Sequence, residues 1–170
     1  RFSYAEATGF ELMNSHIRLQ VDDKEWLETE SLIIASGASA RWLGLENEEK
    51  LIGHGLTSCA TCDGAFYRNV PVAVVGGGDS AAEEALFLTR FASKIYLIHR
   101  RDKLRASKIM ADRVLAHKKI EPIWNTVVTK YIPDEKGEMS AVRLRNVKTN
   151  EERDLSVACV FVAIGHDPNT

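Results

Sequence analysis

Cysteine and proline are scarce in this sequence, with 3 Cys and 4 Pro among 170 residues. So few cysteines exclude the disulfide framework of a small secreted domain. No apolar run approaches the roughly 20 residues that a membrane-spanning helix requires. An excess of one charge is also missing: 22 basic and 24 acidic side chains leave a net charge of −2, which gives no support for binding nucleic acid or a membrane surface. The chain lacks an initiator Met and a signal peptide, so we expect the natural chain to begin earlier.

The first 55 residues are predicted to form a β-meander followed by a linker. Alternating apolar residues predict strands around residues 10–12 and 17–21, and the apolar run Leu32–Ala35 predicts a third strand. Glycines and the acidic stretch Glu46–Glu49 predict an exposed, irregular linker from about residue 38 to residue 55.

From Val70 onward the pattern is that of a parallel α/β domain. The apolar runs 72–75 and 95–98 predict strands buried on both faces, joined by a helix over 80–91. This βαβ unit implies a doubly wound, Rossmann-like sheet. We expect it to continue through a helix (107–117), a third strand (120–123), a hairpin (126–132 with 141–146) and a final buried strand (157–164) closed by Gly165.

A glycine-rich turn lies between the first of these strands and its helix. It reads Gly76, Gly77, Gly78, Asp79, Ser80, Ala81, which is a G-x-G-x-x-A pattern in the strand–turn–helix context that a dinucleotide site requires. The first glycine permits the turn, the second lets the backbone approach a pyrophosphate, and Ala81 allows close helix–strand packing. The helix N-terminus supplies free N–H groups for the anion. Asp79 is expected either to cap the helix or to bind the ribose or nicotinamide. The alternative is a glycine turn without a ligand.

Basic residues follow the second strand, where an NAD site would place an acid. The group consists of His99, Arg100, Arg101 and Arg105. Guanidinium groups at this position are suited to the 2′-phosphate of NADPH, which an acid would repel. The alternative is a solvated basic segment, and His99 either stacks near the adenine or simply ends the strand.

Two cysteines form a C-x-x-C motif, Cys59 to Cys62, followed by Asp63. Such a pair can close a small disulfide ring, and a helix that begins at the motif would favour the thiolate that attacks a disulfide. Asp63 is placed to act as a proton donor or acceptor for the departing thiol. Half of a zinc site and two merely structural cysteines are the alternatives. No metal is predicted, because there is no second C-x-x-C, and Cys159 is expected to be a core residue.

The segments SLIIASGASARWLGL, CATCD, GGGDSA, HRRDKLR and VAIGHDPNT occur in the order seen in low-molecular-weight thioredoxin reductases, and the sequence resembles that family over almost its whole length. The resemblance implies an FAD/NAD(P)-binding fold of three layers. It implies residues 1–38 as the end of the first half of an FAD domain, residues 39–165 as the NADPH domain, and residues 166–170 as a linker into the second FAD half.

The resemblance also implies a role for each site residue. Electrons would pass from NADPH through FAD to the dithiol and on to thioredoxin. Cys62 would face the flavin, Cys59 would attack the thioredoxin disulfide, and Asp63 would be the acid/base. The remaining cofactor contacts would be the turn Ala35, Ser36, Gly37 near the flavin, with Ile164 and Gly165. The family suggests a homodimer, and we expect a cytoplasmic protein without nucleic-acid or membrane partners.

No second glycine cradle for FAD is visible, so we expect this chain alone to bind NADPH but not FAD, and to lack turnover. Three rival functions remain. A flavin disulfide reductase that serves a peroxiredoxin would share this core. A non-enzymatic NADPH-binding redox sensor would need no flavin. A ferredoxin-type NADP reductase is disfavoured because it lacks the C-x-x-C.

Overall fold

The computed structural model describes residues 2–169, which divide into two units. Within the described residues, one unit contains 2–37 with Asn169, and the other contains 38–168. The strands are β1 (Ala7–Leu12), β2 (Ile17–Val21), β3 (Glu25–Thr29), β4 (Ala38–Ala40), β5 (Leu56–Thr57), β6 (Pro71–Gly76), β7 (Lys94–Ile98), β8 (Ile120–Ile123), β9 (Thr126–Pro133), β10 (Met139–Asn146), β11 (Glu152–Ser156), β12 (Cys159–Ala163) and β13 (His166–Pro168). The helices are α1 (Glu48–Leu51), α2 (Ala60–Asp63), α3 (Asp79–Leu88) and α4 (Lys108–Ala116), with a 3-10 turn at Gly64–Phe66.

The first unit contains an antiparallel meander in the order β1-β2-β3. The first two strands were predicted, but the third prediction was wrong: the strand is Glu25–Thr29, not Leu32–Ala35. Asp22 and Asp23 both adopt left-handed φ values, 51° and 56°, so the chain turns tightly back onto β2. Leu32–Ala35 has no strand partner among the described residues, and without one its backbone groups cannot form a sheet ladder.

The second unit is built on a parallel sheet in the order β5-β12-β6-β7-β8. The predicted strands at 72–75, 95–98, 120–123 and 157–164 are confirmed, with small shifts at their ends. Both predicted helices are present as α3 and α4. The apolar runs form strands here because both faces of the sheet are covered, so alternate side chains from one strand enter different cores.

The two faces of this sheet are covered differently. On one face Val72, Val74 and Phe161 pack with the buried side of α3. On the other face Val75 and Val160 pack with residues of the antiparallel sheet β11-β10-β9. The result is three layers and a Rossmann-like parallel sheet, as predicted, whose strand order extends on both sides of β6. After β8 the chain enters the antiparallel sheet instead of a further crossover helix. The hairpin of β9 and β10 is confirmed, and β11 was not predicted.

The predicted linker at 38–55 is ordered and partly buried, so that prediction was wrong. Strand β4 pairs with β13, and Leu51 of α1 is only 2% exposed. Glu48 is buried, where its carboxylate accepts hydrogen bonds from the Leu43 and Gly44 amides and from the Tyr131 hydroxyl. Three donors compensate the buried charge, which explains how an acidic residue can lie inside the fold.

Candidate functional site

A cavity of about 630 Å³ opens at the carboxyl ends of β6, β7 and β12. Strand order along the sheet reverses between β12 and β6, because the chain proceeds from β6 to β7 and β8 in one direction while β12 lies on the other side. Open α/β sheets bind ligands at such a switch point. The predicted residues that line the cavity are Gly76, Gly77, Gly78, Asp79, Ser80, His99, Arg100, Arg105, Ile164 and Gly165.

The glycine turn is closely packed against the neighbouring backbone at Gly76 and borders open space at Gly78. A Cβ at Gly76 would lie 2.3 Å from the Ala163 carbonyl oxygen and 2.7 Å from the Ala81 Cβ. At Gly78, by contrast, a Cβ would meet nothing within 4 Å. Gly78 is also the N-cap of α3, without a side chain that caps the helix, so unpaired N–H groups face the cavity end of the helix. This arrangement fits a pyrophosphate, which needs both the free amides and the open approach.

Asp79 does not occupy the N-cap position that the sequence suggested. It is the first residue of α3, and its carboxylate accepts a hydrogen bond from the Ser107 amide at 2.8 Å. The Gly77 carbonyl accepts from the Arg105 and Ala106 amides at 2.6 and 3.0 Å. These bonds attach the segment that carries Arg105 directly to the glycine turn.

The basic residues divide into those that line the cavity and one that does not. Arg100 and Arg105 line it, whereas Arg101 is exposed and outside the lining. His99 is buried against Gly77, where a Cβ would lie 2.2 Å from the imidazole Cε1. Burial, with the Arg101 and Arg100 charges, lowers the pKa of His99. The imidazole is therefore neutral near pH 7, and its buried Nε2 has no hydrogen-bond partner among residues 2–169.

Sequence reasoning missed several lining residues: Arg41, Leu43, Thr126 and Val127. Arg41 adds a third guanidinium group, which is held by the Asp167 carboxylate through its Nε at 2.7 Å. Its amide donates to the Gly165 carbonyl at 3.0 Å. No local signal marks Arg41, because the partners that hold it are more than a hundred residues away in the chain.

The dithiol residues form a disulfide between Cys59 and Cys62. Cys59 is the N-cap of α2, and the Cys62 amide donates to the Cys59 sulfur at 3.2 Å. The C-x-x-C therefore opens a short helix, which is the condition under which the sequence favours a thiolate at this motif. The zinc alternative is disfavoured because both sulfurs are bonded to each other, and no cluster of three potential metal ligands occurs within residues 2–169.

Polar side chains surround the base of the dithiol. The Thr57 hydroxyl donates to the Asp63 carboxylate at 2.5 Å and accepts from the Cys59 amide at 3.2 Å. Cys159 is fully buried in β12, as predicted. Burial raises the pKa of the Cys159 thiol to about 12. Burial also raises the pKa of Tyr67, and the neighbouring Cys159 and Asp63 add to this effect, so thiol and phenol are both neutral near pH 7.

The predicted flavin contacts Ala35, Ser36 and Gly37 belong to the first unit and are exposed. The Asn169 amide donates to the Gly37 carbonyl at 3.1 Å, which holds the turn within this unit. In the part of the chain that the structure describes, no helix is long and apolar enough to span a membrane.

A dinucleotide-type cavity and a C-x-x-C disulfide in one chain are typical of the nucleotide-linked disulfide oxidoreductases, and comparison with known families agrees. The chain belongs to the pyridine nucleotide-disulphide oxidoreductase family, whose model matches residues 2–170. Among its relatives, the thioredoxin reductase of Mycolicibacterium smegmatis is 51% identical over 91% of this chain and 49% of that protein. The thioredoxin reductase of Pneumocystis carinii is 55% identical over 82% of this chain and 43% of that protein.

Solved structures show the same relationship. The thioredoxin reductase of Lactococcus lactis superposes with a TM-score of 0.82 at 40% identity, over 98% of this chain and 54% of that one. The enzyme of Giardia duodenalis gives a TM-score of 0.88 at 35% identity, over 99% of this chain and 54% of that one. The chain thus spans about half the length of the relatives it matches.

Proposed function

We propose that the natural protein carrying this chain is an NADPH-dependent thioredoxin-disulfide reductase. The observation that carries the proposal is the presence, in one folded unit, of a nucleotide cavity with a glycine turn and a Cys59–Cys62 disulfide. The names of the relatives at about half identity support thioredoxin as the substrate.

The cavity residues would bind NADPH and orient it. Gly78 and the first amides of α3 would hold the pyrophosphate, and Arg100 and Arg105 the 2′-phosphate, with Arg101 as a further candidate. Neutral His99, which lines the cavity, would lie near the adenine of the ligand. The absence of an acid at the end of β7 would favour NADPH over NADH.

In the natural protein, FAD would supply the two-electron link between nicotinamide and disulfide, and residues 1–38 would contribute part of the surface against which it lies. Ile33 is 91% exposed and Ile34 61% exposed, directly before the Ala35–Gly37 turn. Exposed apolar side chains in a segment that joins no sheet support the proposal that another part of the natural protein covers this surface. We assign residues 1–38 to the FAD domain, 39–165 to the NADPH domain, and 166–170 to the link between FAD halves.

The dithiol would transfer two electrons in balanced steps. The Cys59 thiolate attacks the thioredoxin disulfide, a mixed disulfide forms, and protonated Asp63 gives its proton to the first thiolate that leaves. Asp63 then takes the proton of the Cys62 thiol, and the new thiolate attacks the Cys59 sulfur. The second thioredoxin thiolate leaves and receives that proton. Thioredoxin gains two electrons and two protons, and the enzyme regains the disulfide.

The natural protein is further proposed to be a cytoplasmic homodimer without nucleic-acid or membrane partners. The net charge of −2 supports the absence of nucleic acid.

The test is NADPH oxidation coupled to reduction of oxidised thioredoxin by the purified natural protein. Cys59→Ser and Cys62→Ser should each abolish thioredoxin reduction, whereas the buried Cys159→Ala control should retain it. Unchanged activity in Cys59→Ser would overturn the proposal. Activity with a peroxiredoxin partner but not with thioredoxin would favour the related reductase instead.

A further inference from the structure

One hydroxyl group connects the two ends of the dithiol helix. Thr57 lies at the end of β5 and is only 8% exposed. Its Oγ1 accepts a hydrogen bond from the Cys59 amide, before the helix, and donates one to Asp63 Oδ2, at the last helical residue. The Asp63 amide also donates a hydrogen bond to the Cys59 carbonyl at 3.1 Å. The backbone bond and the two bonds of the Thr57 hydroxyl therefore link both ends of α2 in a closed ring.

The direction of these bonds follows from the chemistry of a hydroxyl. A hydroxyl has one proton to donate, and an amide N–H can only donate to it. Since Thr57 receives the Cys59 N–H, its own proton is free to point at Asp63. Oδ2 of Asp63 is then committed as an acceptor, and Oδ1 is the oxygen left to take up or release a proton.

We infer that Thr57 is a positioning residue for proton transfer at the dithiol. Its hydroxyl holds the Asp63 carboxylate in place and thereby directs the transferred proton to Oδ1. The inference rests on the proposed function, because it assigns Thr57 a part in the same thiol–disulfide exchange. Thr57 itself exchanges no proton in either step; it keeps Oδ2 occupied while Oδ1 gives a proton to a departing thiolate or takes one from Cys62.

The other groups around Asp63 do not duplicate this role. The titratable neighbours of the carboxylate on adjoining elements are Tyr67, after the 3-10 turn, and Cys159 on β12, with the two cysteines of the dithiol. Burial raises the pKa of both Tyr67 and Cys159, so both are neutral over the working pH range. Within the described residues, Thr57 is the residue whose side chain donates a hydrogen bond to the Asp63 carboxylate.

The test compares Thr57→Val with Thr57→Ser in the natural protein. Valine keeps the branched shape of threonine and removes the hydroxyl, whereas serine keeps the hydroxyl. We expect Thr57→Val to lower kcat for thioredoxin reduction about 10-fold, the effect of losing one hydrogen bond to a charged group. The KM should stay within about twofold, because binding is not altered. Serine should restore kcat to within about threefold of the wild type.

Two further measurements separate positioning from a general structural effect. In Asp63→Asn, adding Thr57→Val should change kcat less than twofold, because the carboxylate that Thr57 serves is gone. NADPH affinity should be unchanged in every variant, because an unchanged affinity shows that the NADPH-binding unit is still folded. If valine disrupts folding, Thr57→Ala removes the hydroxyl with less bulk.

Equal kcat values for valine and wild type, or equal losses for valine and serine, would overturn the inference. Additive losses in the double variant would also overturn it. A wild-type protein that does not reduce thioredoxin would instead contradict the proposed function, so the two failures are distinguishable.

Discussion

Replacement of Arg105 by alanine tests the assignment of the cavity to NADPH. The side chain of Arg105 lines the cavity, while its amide donates to the Gly77 carbonyl at 2.6 Å. Because this backbone bond does not depend on the side chain, Arg105→Ala should remove the guanidinium and leave the glycine turn intact. A hydrogen bond to a charged group contributes about 1.5–3 kcal/mol. This corresponds to a loss of NADPH affinity of about 10- to 150-fold.

The assay is a calorimetric titration of the natural protein with NADPH and with NADH. NADH lacks the 2′-phosphate, so its affinity should change less than about threefold. Arg100→Ala should behave like Arg105→Ala, and Arg101→Ala should lose less, because Arg101 lies outside the lining. Arg90→Ala is the matched control, since Arg90 is exposed and packs on Phe87 near the far end of α3. Equal losses for NADPH and NADH would refute the reasoning.

Three further changes have distinct expected outcomes. Gly78→Ala should fold normally, because its Cβ meets nothing within 4 Å, yet weaken NADPH binding at least about 10-fold by filling the approach to the pyrophosphate, as titration would show. Gly77→Ala should instead lower the free energy of unfolding by about 1–3 kcal/mol in chemical denaturation, because its Cβ would overlap the His99 ring. Glu84→Gln should stabilise the protein at pH 8, and much less at pH 5. Burial raises the pKa of Glu84 from 4.5 to about 7, and its Oε2 has no hydrogen-bond partner in the described part of the chain, so the folded protein favours the neutral acid. Wild-type stability therefore falls as pH rises from about 4.5 to 7. Solvent screens the partly exposed carboxyl, so the gain at pH 8 should be on the order of 1–2 kcal/mol in denaturant titrations at the two pH values, and a gain independent of pH would contradict this cause.

The parallel sheet could be predicted from the sequence because its strands are buried on both faces. A continuous apolar run such as 72–75 is typical of a strand that is buried on both faces of a sheet. The glycine turn that follows it indicates a dinucleotide-binding fold. The exposed run Leu32–Ala35 shows the limit of this reasoning, because an apolar run becomes a strand only where partner strands exist.

Features that depend on distant partners could not be predicted. Glu48 lies in an acidic stretch that predicts exposure to solvent, and one of the three donors that compensate its buried charge, the Tyr131 hydroxyl, is 83 residues away. Arg41 enters the cavity lining through contacts with Asp167 and Gly165. The position of Arg105 in the lining could be anticipated from the motif, whereas the difference between Arg100 and Arg101 depends on the local direction of the chain after β7.

The central claim is that electrons from NADPH reach the Cys59–Cys62 bond. The most direct measurement is anaerobic addition of NADPH to the natural protein, followed by alkylation and peptide mass spectrometry. We predict that alkylation appears at Cys59 and Cys62 together only after NADPH is added, with Cys159 unchanged because it is buried. A disulfide that stays closed in the presence of NADPH, under conditions in which a chemical reductant opens it, would contradict the account.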